Sequence, residues 1–453
     1  MEDQKTIFRR LKDQVDKSTY QKDLHFADDA SNETSIRTQF MNIKRKETWT
    51  YRTNLKLDCT GDISNPDFIT YKVRVLPFHA LRYTVVIQSI PAITAAPGFE
   101  ICWTPNLATN CIQNATFKVN DTEFQSLNSE YFDDHCKKIN KTNDKDLNYE
   151  IGNISELVEW SSYLPSYQTL FNIPWFFNQH SSKSFPLDKC GKEDTVVIET
   201  QLRRNLSQLI RVRRTDTKKE VTFDESYLTV NTPMTLPVPE IRGEYIMKSD
   251  MECEHDRCEE TQQKYASNVF DIDNVRMVES DNIYTMNNTV NIKIKDMPFP
   301  VHTIHWKAVN LEAKKYNNLS NYTTNAFDNT IGGNPIKWVS LSTPNGILFK
   351  NQDFYVGERI VPKFNFNKVP HVAGYGCWTN ATDACDALYP KPGINLNESE
   401  LTFRLENNDF STESTFRIVV QLVYTYRITI KDYPKSENER NAKGMDFEIS
   451  GDM

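Results

Sequence analysis

A chain of 453 residues with 25 Phe, 20 Tyr, only 14 Gly and 25% charged side chains can bury large cores, which excludes a disordered or low-complexity protein. Its net charge of −8 excludes an extended nucleic-acid surface, since phosphate binding needs clustered Lys and Arg. The length allows about three average domains or two large all-β units, and nine cysteines, an odd count, suit free thiols in a reducing compartment better than a disulfide framework.

The N-terminus opens on charge, Met1-Glu2-Asp3-Gln4-Lys5, with no apolar signal core after it, so no cleaved secretory signal is expected. Between Lys5 and Lys22, Ile7, Phe8, Leu11 and Val15 fall near one helical stripe with basic flanks. Such a segment either lies on an anionic membrane or partner, or packs on its own domain. Ala27 to Thr34 is a polar, acidic linker, and residues 1–46 together read as an N-terminal arm and linker.

From Thr48 the pattern changes to short alternating strands that end at Pro, Gly or Asn/Asp clusters: Thr50 to Leu57, Tyr71 to Leu76, Leu81 to Ile93, Ile101 to Thr104 and Ile112 to Asn120. Phe124, Tyr131 and Phe132 follow as an aromatic-rich segment. The densest stretch is Phe171 to Arg203, in which Pro174-Trp175-Phe176-Phe177 predicts an extended, buried aromatic block. Phe185-Pro186-Leu187 turns the chain, and Val197 to Arg203 alternates as a strand with one wet face. The charged run Ile210 to Lys219 reads as a solvated linker and the domain boundary, giving a first unit over residues 47–214.

The second unit, 215–433, repeats the style. Val221 to Val230, Val290 to Lys295, Thr303 to Val309 and Ile336 to Leu341 predict strands. The last is the longest: Phe416, Ile418, Val420, Leu422, Tyr424, Tyr426, Ile428 and Ile430 fall on one face, opposite Arg417, Gln421, Thr425, Arg427 and Thr429. At ~3.3 Å per residue it extends about 50 Å, long enough to require a bend or a change of partner. Residues 434–453 read as a charged, flexible tail. Neither apolar window, Tyr83 to Trp103 nor Phe416 to Ile430, is uninterrupted enough to span a bilayer. Sequons at Asn114, Asn153, Asn205, Asn318 and Asn380 are expected by chance in a chain rich in Asn and Thr.

The aromatic block, the Phe-Pro-Leu turn and the strand after it resemble a signature of the major capsid proteins of nucleocytoplasmic large DNA viruses, the iridovirus and phycodnavirus type. The resemblance continues in Ile90-Pro91-Ala92-Ile93, in the Trp103 strand and its successor, in Asn334-Pro335-Ile336 with the Asn345-Gly346 turn, in Asp353-Phe354-Tyr355, and in Pro392-Gly393-Ile394-Asn395 with Glu400 to Leu405. It covers 80–215 and 330–432 best. It implies an all-β chain of two consecutive eight-stranded antiparallel jelly-roll β-sandwiches, with a short N-terminal arm and a charged C-terminal tail. It further implies a pseudo-hexameric homotrimer that tiles an icosahedral shell in the virion, assembled in the host cytoplasm. Partners would be neighbouring capsomers, minor capsid and penton proteins, and an internal membrane through the N-terminal arm, with no direct contact to nucleic acid. The chain departs from the family where Gly61-Asp62-Ile63 lies upstream of the strand it should open, so a poxvirus-type trimeric scaffold or a minor double jelly-roll paralogue remains an alternative. A carbohydrate-binding or carbohydrate-cleaving double β-sandwich is a third reading, and would need a signal peptide and paired carboxylates.

No catalytic, cofactor-binding or metal-binding residue is assigned, and no cofactor is expected. Asp133-Asp134-His135-Cys136 offers ligand chemistry, but on a strand neighbours point to opposite faces. His302 and His305 are likewise split across an extended run. Cys253-Glu254-His255-Asp256-Arg257-Cys258 has no second Cys/His pair at finger spacing and reads as a polar loop. No phosphate-cradling loop, G-x-S-x-G elbow or H-E-x-x-H occurs.

Overall fold

The computed structural model describes residues 51–61, 65–76, 79–179, 183–230, 232–247, 269–386, 391–406, 414–432, 439 and 444–450. The expectations for the arm 1–46 and for Cys253 to Cys258 lie outside these residues.

In the first half the strands are β1 (Tyr51–Lys56), β2 (Asp58–Gly61), β3 (Phe68–Val73), β4 (His79–Ile90), β5 (Ile93–Thr94), β6 (Phe99–Trp103) and β7 (Ile112–Val119). They continue with β8 (Thr122–Asn128), β9 (Tyr163–Leu164), β10 (Tyr167–Asn172), β11 (Val196–Leu202), β12 (Ile210–Arg214), β13 (Glu220–Val221) and β14 (Glu240–Met247). The second half holds β15 (Val269–Glu279), β16 (Thr289–Ile294), β17 (Val301–Asn310), β18 (Ile336–Thr343), β19 (Gly346–Asp353), β20 (Gly376–Thr379), β21 (Ser399–Leu405), β22 (Phe416–Asp432) and β23 (Asp446–Ser450).

Two sheets, ordered β1-β14-β4-β10 and β2-β3-β11-β7-β8, enclose the first core. Strand β11 shows why: Val196, Ile198, Thr200 and Leu202 are buried while Val197, Glu199 and Gln201 are only partly so, the period of a pleat with one apolar face. At its centre the Phe117 ring meets Phe124, Trp175, Phe176, Phe177 and Phe185 at centroid distances of 5.1–6.1 Å. The aromatic block is buried as expected, but Phe176–Asn178 forms a 3-10 turn after extended Trp175 instead of staying extended. Pro174 bars a longer helix, and the turn lets adjacent rings enter the core together.

The second sandwich pairs β15-β22-β17-β20 with β16-β21-β18-β19, all antiparallel. Strand β22 does change partners. It runs beside β15 over Val419 to Thr429, while its other edge passes from β17 (Phe416 to Tyr424) to β23 (Arg427 to Asp432). Its even-numbered side chains Phe416, Ile418, Val420 and Leu422 fill the second core. The opposite face, expected to be wet, is buried at Val419, Gln421, Val423 and Thr425, because it packs on the first sandwich. The two cores touch there: Phe270 of β15 lies 6.0 Å from Phe176, and Phe447 of β23 lies 4.9 Å from Phe124.

Three expectations are corrected. The run Ile210 to Lys219 is not a solvated linker but strand β12, a turn with Lys218 at φ 55°, and the approach to β13. Its charges are paired laterally, Arg211 with Glu220 at 2.6 Å and Arg213 with Glu100 at 2.6 Å, so the strand can bury its backbone. Beyond it, Glu240 to Tyr245 still pairs within the first sandwich, so the first set of sheets does not stop at 214. Val221 to Val230 is largely not a strand, since Asp224 accepts a hydrogen bond from the Ser226 N–H and starts a 3-10 turn. In the 434–453 tail, β23 pairs with β22, and the Met445 N–H donates to Asp194 Oδ2 at 2.7 Å.

Trp306, in the second core, sits against Gly357 and Gly376. A Cβ on Gly376 would lie 2.0 Å from the indole nitrogen, and one on Gly357 2.8 Å from Cζ2. Gly376→Ala is therefore expected to destabilise by about 1–3 kcal/mol through overpacking, read by chemical denaturation.

Candidate functional site: the buried polar junction between the sandwiches

Strand β17 is buried along its whole length. Ile304, Trp306 and Ala308 enter the second core, whereas His305 and Lys307, one pleat over, face the first sandwich. Opposite them is the helix Ser129–Asp134, capped by Asn128 accepting from the Tyr131 N–H, which continues as a π-helical turn His135–Ile139. Asp133, Asp134 and His135 are thus helical and not extended, which corrects the strand reading. Helical spacing puts Lys138 one turn beyond Asp134.

Asp134 and Lys138 are fully buried and Lys307 nearly so. Asp134 Oδ1 accepts from Lys138 Nζ at 2.8 Å, and Oδ2 forms an ion pair with Lys307 Nζ, also at 2.8 Å. The Gln421 amide, with nitrogen toward the carboxylate, gives Oδ2 a further bond at 3.2 Å and accepts from the Tyr131 N–H at 3.0 Å. Lys138 Nζ also donates to His305 Nδ1 at 3.1 Å and to the Gly376 carbonyl at 3.2 Å, which uses all three of its protons. Lys307 Nζ donates to the Glu130 carbonyl at 2.5 Å and stands over the Tyr322 and Tyr375 rings, 4.7 and 5.2 Å from their centroids. Asp133, next along the helix, accepts from Tyr322 Oη and Asn106 Nδ2, both at 2.9 Å.

Burial alone would raise the pKa of Asp134, but the Lys138 and Lys307 ammoniums overturn it and hold the carboxyl below its ordinary range. Burial, then Lys138, lowers His305 to about 3, so the ring is neutral and its Nδ1 is the acceptor for Lys138. A second pair lies alongside, Asp273 Oδ2 with Lys391 Nζ at 2.5 Å. Thr425 Oγ1 donates to Asp273 Oδ1 at 2.5 Å, and His302 Nε2 is 3.4 Å from the same oxygen. The backbone joins in as well: Gln125 Nε2 donates to the Asp273 carbonyl at 2.6 Å, and the Ser126 N–H to Asn274 Oδ1 at 3.1 Å.

The arrangement gathers two buried ammoniums on the one Asp134 carboxylate and a third on Asp273. Chemically it is a rigid clasp. Among the described residues no group of three or more His, Cys, Asp or Glu is gathered as for a metal ion. Buried Cys102, Cys111, Cys136 and Cys377 are free thiols whose pKa burial pushes up to about 12. The sequon residue Asn318 is 1% exposed and donates to the Ala326 carbonyl. Sequence reasoning missed Lys138, Lys307, Gln421, Tyr322 and Tyr375. The available signal was a Lys or Gln at an inward position of a strand otherwise made of apolar residues.

No protein-family model matches the chain, and no curated protein sequence does. Solved structures do match. The PBCV-1 virus capsid protein is 13% identical with a TM-score of 0.59, over 84% of this chain and 94% of its own. The Faustovirus major capsid protein is 8% identical with a TM-score of 0.62, over 83% and 90%. The mavirus major capsid protein is 8% identical with a TM-score of 0.51, over 88% and 90%. Likeness at this identity carries the fold: the chain is a double jelly roll.

Proposed function

We infer that the chain is a capsid shell subunit of the double jelly-roll type, which assembles as a pseudo-hexameric homotrimer and tiles an icosahedral virion. The observation that carries this reading is the clasp. A tile needs two sandwiches held at one fixed angle, so that three copies present six upright walls, and a buried charge network between sheets resists their relative motion. The likeness in fold to three viral capsid proteins, spanning nearly the full length of each, supports it. Neighbouring capsomers, minor capsid and penton proteins, and a membrane beneath the shell would be the partners. The role is structural, without catalysis or direct genome contact. In this reading the first jelly roll extends through Tyr245 and the second begins at Val269.

Light scattering on a sizing column, with negative-stain imaging of the same peak, tests it. A particle of roughly three times the 52.7 kDa chain mass with hexagonal outlines is expected. A monomer without lattice tendency overturns the tile. Presence of the protein in purified mature particles would separate a shell subunit from a poxvirus-type assembly scaffold of the same fold.

A further inference from the structure

Beside the clasp, the strand pair β12-β13 and the loop 316–330 wall a cleft of about 1170 Å³, slightly above the ~300–1,000 Å³ usual for small-ligand sites. On a chain of net charge −8, this cleft is lined by five cations, among them Lys137, Arg211, Arg213 and Lys219, against the three anions Glu159, Glu220 and Asp328. The guanidiniums of Arg211 and Arg213 lie over the Trp160 ring, 5.2 and 4.7 Å from its centroid. Glu220 and Glu100 hold them in place. Arg211 uses Nε and Nη2 on Glu220, and Nη2 again on the Phe327 carbonyl at 2.7 Å, while Arg213 uses Nε on Glu100 at 2.6 Å. Those contacts use neither Nη1 of Arg211, whose side chain is nearly buried, nor the two Nη groups of the more exposed Arg213. A planar fork fixed before binding loses little side-chain freedom when it takes an anionic group. At the rim, the Phe327 ring is 49% exposed and braced by Tyr316 at 5.3 Å, an apolar face next to the cations.

We propose that this cleft binds a short acidic glycan, with sulfate or carboxylate groups on Arg213, Lys219 and Lys137 and a sugar ring against Phe327. The chemistry pairs anion forks with an aromatic face, the two features that charged saccharides present together. A nucleic acid fits less well, because the Trp160 face is taken by guanidiniums, so a base cannot stack there, and a chain of net charge −8 repels a long polyanion. The inference goes beyond shell building, since it gives the particle a means of holding a charged surface sugar.

The test is calorimetric titration of the intact purified protein with a heparin-derived tetrasaccharide, its desulfated form, and an oligothymidylate of equal charge. Binding of the sulfated sugar alone is expected. The doubly substituted Lys137→Ala, Lys219→Ala protein, changed at one half-buried and one exposed lysine, should lose about tenfold or more in affinity with a melting temperature close to the parent's. Phe327→Ala should weaken the sugar further. No binding, binding unaffected by these variants, or equal affinity for the oligothymidylate each overturns the proposal.

Discussion

Asp134→Ala is expected to destabilise the folded chain by about 3–5 kcal/mol, because it leaves the Lys138 and Lys307 ammoniums buried without a counter-charge. Denaturant unfolding would read the loss directly, and limited proteolysis should show the two sandwiches cut apart where the native protein resists. Replacing all three groups together, Asp134→Leu with Lys138→Met and Lys307→Met, should recover most of the stability, since no charge then needs solvation. A loss below about 1 kcal/mol for Asp134→Ala would mean that the ion pairs contribute little to joining the sandwiches.

The same groups set a pH dependence. Asp134 has a folded pKa below its unfolded value of about 3.9, so its contribution is complete above that pH and is lost as pH falls through the folded value. The histidines have the same sign and a higher window. Burial, followed by Lys368, lowers His135 to about 4, and burial, followed by Lys138, lowers His305 to about 3. The unfolded chain takes up protons below about pH 6.5 that the folded chain refuses until pH 3–4. Stability should therefore be highest at about pH 7–8, decline below about 6.5 and fall steeply below 4, and decline again above about 8.5 as the unfolded chain ionises thiols that burial keeps protonated in the folded one, as checked by denaturation at a series of pH values.

Phe117→Ala, the second large effect, is expected to cost about 3–5 kcal/mol. Phe117 is fully buried and touches five aromatic rings, four of them from the single stretch Trp175 to Phe185. Those rings cannot all follow a vacated space, since Trp175 Nε1 is tied to Thr84 Oγ1 at 3.1 Å and the Phe176 N–H to Gln125 Oε1 at 2.9 Å. The cavity also lies under the contact of Phe176 with Phe270, so loosening should reach the second sandwich. Hydrogen exchange at β15 would detect it, and an unchanged β15 would show that the cores respond separately.

Alternation along β11 and β22 was legible because a strand with one apolar face writes its period into the letters, and the aromatic block because Pro174 excludes the helical reading. The residues themselves thus determined an all-β chain with two strand-rich halves. They did not determine which polar residues are buried. Arg211, Lys307 and Gln421 look like solvent-facing positions until Glu220 on the next strand, and Asp134, distant in sequence on a helix of the other sandwich, supply their polar partners. Local pattern measures one strand's preference for water, whereas burial of a charge is decided by what packs against it. For the same reason the charged run at 210–219 looked like a linker and folded as β12, and the tail at 446–450 gained a strand only because the far end of β22 had an open edge. The sequence by itself determined most of the strands and the all-β class; the tertiary structure alone decided the clasp, since its charges are stable only once both sandwiches have excluded water from them.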